Sequence, residues 1–255
     1  MATFHLLNFG CRASQADGSS LKAQLLEAGL AEASSAEQSH VAVLNTCTVT
    51  ASADAEVRQI IRRIHRANPG CKILVTGCYA QRAPEEISKL QGVAWVIGNS
   101  HKHNVAEIVA GAFAPVAALS SAAKVAGGDT GATDGRSAPL VQLRALETQE
   151  ISAQILVGEI SEEFHFAPVF PDDRTRPTLK VQDGCGARCS FCIIPAVRGD
   201  SRSLALENVI AQIHELEQAG YKEIVLSGIN LGSYGREFTP RVTFLQLLNK
   251  ILSET

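Results

Sequence analysis

Four short, nearly continuous apolar runs set the strongest limit on how this chain can fold: "TFHLLNF" (3–9), "VAVLNT" (41–46), "KILVTG" (72–77) and "VAWVIG" (93–98). Each is rich in β-branched or aromatic residues and lacks a clear polar face, as expected of strands covered on both sides. The stretches between them are amphipathic and stop at glycine: "SQADGSSLKAQLLEAG", "ASADAEVRQIIRRIHRANPG" and "APEEISKLQG". Glycine just past a periodic segment is a helix stop signal. Strands alternating with helices require crossover connections, so the fold class is α/β, with a doubly wound parallel sheet over residues 1–114.

Residues 115–150 lose both the aromatics and the period and enrich in Ala, Gly, Ser, Thr and Asp. They read as a low-complexity linker or insertion, the alternative being an Ala-rich helix near 115–126. A second unit, residues 151–255, contains "PTLKVQDG", an alternating strand, then a helical stretch at 204–219, a strand "EIVLSG" (223–228) and a helix at 243–253. That is the start of an α/β barrel. A full barrel takes roughly 200 residues or more, and fewer than 80 follow Pro177, so a partial, incomplete barrel is expected.

At 45% hydrophobic and 19% charged residues, the chain can bury a substantial core. A formal charge of −3 argues against nucleic-acid binding by bulk charge and leaves room for a local basic stripe. Arg58, Arg62 and Arg66, spaced four apart on the helix bearing Val57, Ile60, Ile61 and Ile64, form such a stripe, and a solvated helix face is its ordinary reading. The N-terminus has no basic region ahead of an apolar run, and nowhere do eighteen apolar residues follow one another. A cytoplasmic protein without membrane contact is expected. In that compartment seven cysteines point to metal or redox chemistry rather than to a disulfide framework.

Three of the seven crowd into "DGCGARCSFCIIP": Cys185, Cys189 and Cys192. Gly184 and Gly186 let the loop curl so that the thiolates can converge. Structural zinc takes four protein ligands and catalytic zinc usually includes His, and neither completes this set nearby. An iron-sulfur cluster on three cysteines, with one iron left open, fits the ligand count and softness; small buried side chains or a redox pair are the alternatives. Cys11, Cys47 and Cys78 each follow a first-unit strand, so folding brings them to the carboxyl edge of the sheet, where ligands bind in such folds. Cys71 precedes its strand and belongs to the opposite edge as a structural residue.

"CGARCSFC" has the CxxxCxxC spacing of the radical S-adenosylmethionine (SAM) enzymes, with Phe191 before the third cysteine. "FGCRASQAD", "LNTCTVTASADAEVRQIIRRI" and "VTGCYAQ" resemble the N-terminal domain of the radical SAM methylthiotransferases, and "VQDGCGARCSFCIIPAVRGDSRS" with "LSGINLGSYG" resembles their catalytic domain. The detail is most similar to the branch that converts N6-threonylcarbamoyladenosine of tRNA, next to the anticodon, to its 2-methylthio form. The resemblance implies a transferase with two 4Fe-4S clusters. Cys185, Cys189 and Cys192 would hold the one that cleaves SAM to a 5′-deoxyadenosyl radical, and Cys11, Cys47 and Cys78 the auxiliary one that presents the sulfur. A second SAM would supply the methyl group.

Phe191, Arg198, Arg202, Ser227 and Asn230 are the candidates for the SAM or substrate side; no catalytic residue beyond the cluster ligands is assigned. The partners implied are tRNA and an electron donor of the flavodoxin or ferredoxin kind, with a monomeric enzyme. The family also carries a longer barrel and a C-terminal RNA-gripping module, so the chain is expected to be C-terminally truncated and to turn over little or no substrate alone. A ribosomal-protein aspartate methylthiotransferase and an inactive iron-sulfur-binding fragment are the rival readings.

Overall fold

A computed structural model of the protein describes residues 1–113, 153–160 and 175–254. The first unit runs β1 (Thr3–Asn8), α1 (Arg12–Glu27), β2 (Ala31–Glu32), β3 (Val41–Thr46), α2 (Ala51–Ala67), β4 (Lys72–Gly77), α3 (Cys78–Arg82), α4 (Pro84–Ser88), β5 (Val93–Ile97) and α5 (Val105–Phe113). All its strand pairs are parallel, in the order β2-β1-β3-β4-β5. This is the doubly wound arrangement whose strand order reverses between β1 and β3. Thr50 starts α2: its hydroxyl accepts from the Ala53 N–H at 3.2 Å, satisfying a donor that the helix itself leaves open.

Successive strand side chains point to opposite faces, which is why the apolar runs had to be nearly continuous. One face places Ala42, Leu44, Ile73, Val75 and Val96 against Val57, Ile61 and Ile64 of α2. The other places Phe4, Val41, Val43, Leu74, Trp95 and Ile97 against Leu21 and Leu25 of α1 and Val105 and Val109 of α5. Ile61 is fully buried. Ile61→Ala is therefore expected to cost about 2 to 5 kcal/mol, from lost transfer free energy plus the cavity left behind, read as a drop in the urea midpoint.

Beyond the low-complexity stretch, which lies outside the described residues, β6 (Gln154–Leu156) returns to the first sheet and pairs in parallel with β5, Trp95 opposite Gln154. The first sheet thus has six strands and takes its last one from past residue 150, which periodicity did not reveal because three residues are too few to show a period.

The second unit contains β7 (Thr178–Asp183), α6 (Ile194–Arg198), β8 (Arg202–Ser203), α7 (Leu206–Gln218), β9 (Val225–Gly228) and α8 (Phe244–Glu254). Its three strands lie in the order β8-β7-β9, with β7 parallel to β9 and antiparallel to β8. Among the described residues the sheet does not close into a barrel. The alternation in β7 suggests one wet face, yet all six of its residues are buried. Leu179 and Val181 pack with Val209, Ile213 and Leu247, whereas Lys180 meets Asp17 of α1 from the first unit. Here alternation separates an apolar core from a polar interface, not a core from solvent.

Candidate functional site

The parallel register places Asn8 opposite Asn45 and Thr46 opposite Gly77, so the ends of β1, β3 and β4 lie side by side. Cys47 and Cys78 directly follow β3 and β4 and are buried, and Cys11 is exposed at the N-cap of α1. All seven cysteines are free thiols. Gly10 turns the chain into α1 at φ 100°, and a Cβ there would sit 2.4 Å from Cys47 Cβ and 2.9 Å from its Sγ. Only glycine lets the backbone before Cys11 approach Cys47 so closely.

On the far side, Asn99 Nδ2 donates to Cys78 Sγ at 3.6 Å and to the Val197 carbonyl of α6 at 2.7 Å. Next to Cys47, the Thr48 hydroxyl is buried without a hydrogen-bond partner among the described residues. A buried hydroxyl normally finds one, and a cluster sulfide or thiolate would accept from it. The donor set of soft thiols at a sheet edge, with an orphaned donor beside them, suits an iron-sulfur cluster. Among the described residues no three Cys, His, Asp or Glu side chains are already gathered into a metal-sized site, in this trio or the other. Chelation would draw the sulfurs together.

The second trio lies in the loop after β7. Gly184 has φ 70°, where a Cβ would fall 2.0 Å from the Asp200 carbonyl oxygen, and Arg188 has φ 49°. The Cys185 N–H donates to the Gly199 carbonyl and the Cys192 N–H to the Cys189 carbonyl, both at 3.0 Å, so the loop curls and is closed at its base by the chain after α6. Cys189 is exposed and Cys185 and Cys192 are half-buried, leaving the thiols reachable. Phe191 is 91% exposed, an unusual setting for a side chain of its size.

Gln182, fully buried, organises this loop. Its Nε2 donates to the carbonyls of Asp183 and Gly184 and to Ser201 Oγ, and its Oε1 accepts from the Asn230 N–H at 2.7 Å. Asn230 is thereby placed beside the cluster loop, its Nδ2 3.8 Å from Cys185 Sγ. Ser227 is buried in β9, opposite Lys180 of β7. Arg202 donates to the Arg198 carbonyl.

Arg198 turns away from the loop mouth into the boundary between the units. Its Nη1 donates to both Asp183 carboxylate oxygens at 2.9 and 3.0 Å, and its Nη2 to Asp17 Oδ2 at 3.2 Å and Ser14 Oγ at 3.4 Å. Lys180 bonds Asp17 and, at 2.8 Å, Asp183. Lys102 donates to Asp17 Oδ2 at 3.0 Å and Asn45 Oδ1 at 3.1 Å. Burial alone would raise the carboxyls of Asp17 and Asp183, but the cations outweigh it: Asp17 is held well below the usual range, chiefly by Lys102, Lys180 and Arg198, and Asp183 is pulled to about 2, chiefly by Arg198 and Lys180.

Asp17, Lys102, Lys180 and Asp183 form a buried network behind the site that sequence reasoning does not single out. A lysine in the middle of a well-formed strand is the available signal, and it reads equally as a solvent-facing position. The Arg stripe on α2 divides: Arg58 is engaged with Tyr79 Oη at 2.7 Å and Glu86 at 2.8 Å, while Arg62 and Arg66 line an open groove with Lys89. Cys71 is buried under Ser39 and the Ala36 carbonyl, and burial pushes its thiol pKa up, as suits an inert packing residue.

Residues 179–254 match the radical SAM superfamily and residues 3–98 the uncharacterized protein family UPF0004. The second unit is thus similar to the radical SAM superfamily, which implies a 4Fe-4S cluster and SAM, and the first unit to UPF0004. More specifically, the chain is similar to the threonylcarbamoyladenosine tRNA methylthiotransferases MtaB. It is 36% identical to that of Aquifex aeolicus over 229 residues, 89% of this chain and 47% of the relative, and 36% identical to that of Bacillus subtilis over 253 residues, 98% and 48%. Similarity to the ribosomal protein uS12 methylthiotransferase RimO of Chloroflexus aurantiacus is lower, 29% over 254 residues, covering 99% of this chain and 51% of the relative. The chain spans about half the length of the curated relatives it matches. Among the described residues no helix is long and apolar enough to cross a membrane.

Proposed function

We propose that the chain is part of a tRNA-modifying radical SAM methylthiotransferase that converts N6-threonylcarbamoyladenosine to its 2-methylthio form. The observation carrying this reading is the pair of cysteine trios, one on each matched unit, mounted on segments that a shared buried ion network holds against one another. A generic SAM-cleaving domain needs only Cys185, Cys189 and Cys192. Sulfur insertion needs a second sulfur-bearing centre, and Cys11, Cys47 and Cys78 are its proposed ligands. When bound, a 4Fe-4S cluster and SAM supply the one-electron chemistry that opens an unactivated C–H bond; the polypeptide supplies ligands, orientation and shelter from solvent.

In this reading residues 1–114, completed by β6 (Gln154–Leu156), form the auxiliary-cluster domain, 115–150 a connector, and the chain from β7 onward the first part of the SAM-binding barrel. Gln182 and Asn230 orient the Cys185 loop. Phe191 offers an exposed aromatic face beside it. Ser227 and Arg202 are the further candidates for the SAM or substrate side, and Arg198 serves the loop by anchoring the strand that leads into it. The partners are tRNA and a flavodoxin-like or ferredoxin-like electron donor, and the enzyme acts as a monomer in the cytoplasm. Mass analysis of tRNA nucleosides from cells lacking the gene tests the assignment. Loss of the 2-methylthio form, with the threonylcarbamoyl nucleoside accumulating in its place, is expected; intact tRNA nucleosides with loss of methylthiolation on a ribosomal protein would overturn it.

A further inference from the structure

The far half of α2 gathers positive charge that the surrounding fold leaves unmatched. Arg62 and Arg66, one turn apart, are exposed on the helix. Lys89, just past α4, joins them from another element, and the three line one open groove of about 580 Å³ with His65, Leu90 and Gln91. Among the described residues no carboxylate lines it. A second groove shares Arg62 and Arg66 and adds Gln59, Ile60 and Arg63. The chain as a whole carries a formal charge of −3, so this is a local concentration of cations and not a share of a basic surface.

The grouping is built into the backbone. Gly92, at φ 86°, passes directly against the His65 ring, and a Cβ there would fall 2.7 Å from His65 Nδ1. That close approach, open only to glycine, brings the turn carrying Lys89 against the end of α2. Neighbouring cations are treated differently. Arg58 meets Glu86 at 2.8 Å, Arg82 meets Asp54 at 2.7 Å and Arg63 reaches Glu37 at 3.5 Å. Among the described residues Arg62, Arg66 and Lys89 enter no ion pair, and Arg66 Nε donates to the Arg62 carbonyl at 3.3 Å.

We propose that this groove is a docking surface for the phosphate backbone of the tRNA substrate, gripped by Arg62, Arg66 and Lys89. The inference rests on the tRNA-modifying reading above and says where on the first unit the RNA lies. Guanidinium forks match phosphate oxygens in pairs, and an ammonium meets them as a point charge. Position in the fold favours RNA over an acidic protein such as the electron donor. Because α2 begins at Ala51, shortly after Cys47, Arg62 and Arg66 stand about 16 and 22 Å along its axis from that start, at about 1.5 Å per residue. An electron donor has to come close to a cluster, and this end of the helix is remote from the cysteine edge. A stem-loop with its modified base at that edge still has backbone at this distance, since each strand of a duplex carries a phosphate about every 3.4 Å.

The test titrates the full chain against a fluorescent, unmodified anticodon stem-loop RNA, read by anisotropy at several salt concentrations. The combined variant Arg62→Gln, Arg66→Gln and Lys89→Gln is expected to bind roughly tenfold or more weakly at about 0.1 M salt, and the slope of log K against log salt should fall in magnitude by about 2 to 3, as for three lost phosphate contacts. Arg62→Lys with Arg66→Lys should keep the parent slope. Arg176→Gln, which removes an exposed cation of the second unit, is the control and should leave affinity and slope unchanged. Circular dichroism checks folding; should the combined variant fail to fold, Lys89→Gln alone is read in its place, with an expected slope loss of about 1. A folded variant that keeps the parent affinity and slope overturns the inference, as does a parent chain that does not bind the RNA. Unchanged RNA binding with lost affinity for a flavodoxin also overturns it and gives the groove to an acidic protein. None of these outcomes touches the tRNA-modifying reading, which the nucleoside analysis decides separately.

Discussion

Anaerobic reconstitution with iron and sulfide is expected to load about eight irons and about eight sulfides per chain, falling to about four of each when either cysteine trio is replaced by Ala. The expectation rests on the separate construction of the two sites. The Cys185 loop is local, curled by Gly184 and closed by the Cys185 and Cys192 amides, so it should keep its cluster when the first-unit cysteines are gone. The other trio is assembled by strand register and by the close pass of Gly10 against Cys47, neither of which needs the loop. Zinc is the competing outcome. Zinc is not expected, because a three-thiol set lacks the fourth protein ligand of a structural zinc site, and stoichiometric zinc without acid-labile sulfide would overturn the iron-sulfur assignment.

Asp17→Asn is expected to be among the most damaging single substitutions outside the apolar core. Among the described residues, Asp17 is the carboxylate that meets Lys102, Lys180 and Arg198 together. Neutralising it removes the carboxylate that these three buried cations share, a loss of roughly 3 to 5 kcal/mol. For a domain of this size that corresponds to a fall in Tm of roughly 10 °C, measured by circular dichroism. The exposed pair Arg176 and Glu223, 3.2 Å apart with both side chains more than half exposed, is the control: Glu223→Gln should change stability by about 0 to 1 kcal/mol. A shift for Asp17→Asn no larger than that control would show that the network is not the joint between the units.

The same network sets an acid limit. Asp183 is held at about 2 against an ordinary 3.8, with burial opposing and Arg198 and Lys180 prevailing, and Asp17 is lowered too. A carboxyl depressed in the folded state binds fewer protons than its unfolded counterpart, so its contribution is fully present above the unfolded value and is lost as pH falls through the folded one. For Asp183 alone the window runs from 3.8 down to about 2, and the stability lost across it is about 2 kcal/mol, measurable as a falling urea midpoint over that range.

The strands over 41–46 and 72–77 and the glycine-stopped helices between them were legible because the fold there is declared by local period: a strand covered on both faces has no place for polar residues, and a helix has to stop where glycine releases it. The cysteines were legible for a related reason. Each first-unit trio member follows a strand, and parallel strands share one carboxyl edge. The roles of β7 and Arg198 were not legible in this way. Lys180, Gln182 and Asp183 suggest a wet strand face, and an arginine a few residues past Cys192 does not announce a buried partner; Gln182 is nonetheless fully buried and Arg198 nearly so.

What the sequence determined by itself was local: where the main periodic strands and helices lie and stop, and that one loop presents three thiols within eight positions. Only the tertiary structure decided that Asp17 and Lys180, 163 residues apart, meet in a buried cluster between the units, and that residues 154–156 complete the first sheet. The physical reason is that apolar period and turn chemistry are written in neighbouring residues, whereas the pairing of buried charges depends on which surfaces the folded units bring together. A charge in a strand looks the same in sequence whether water or a distant carboxylate will face it.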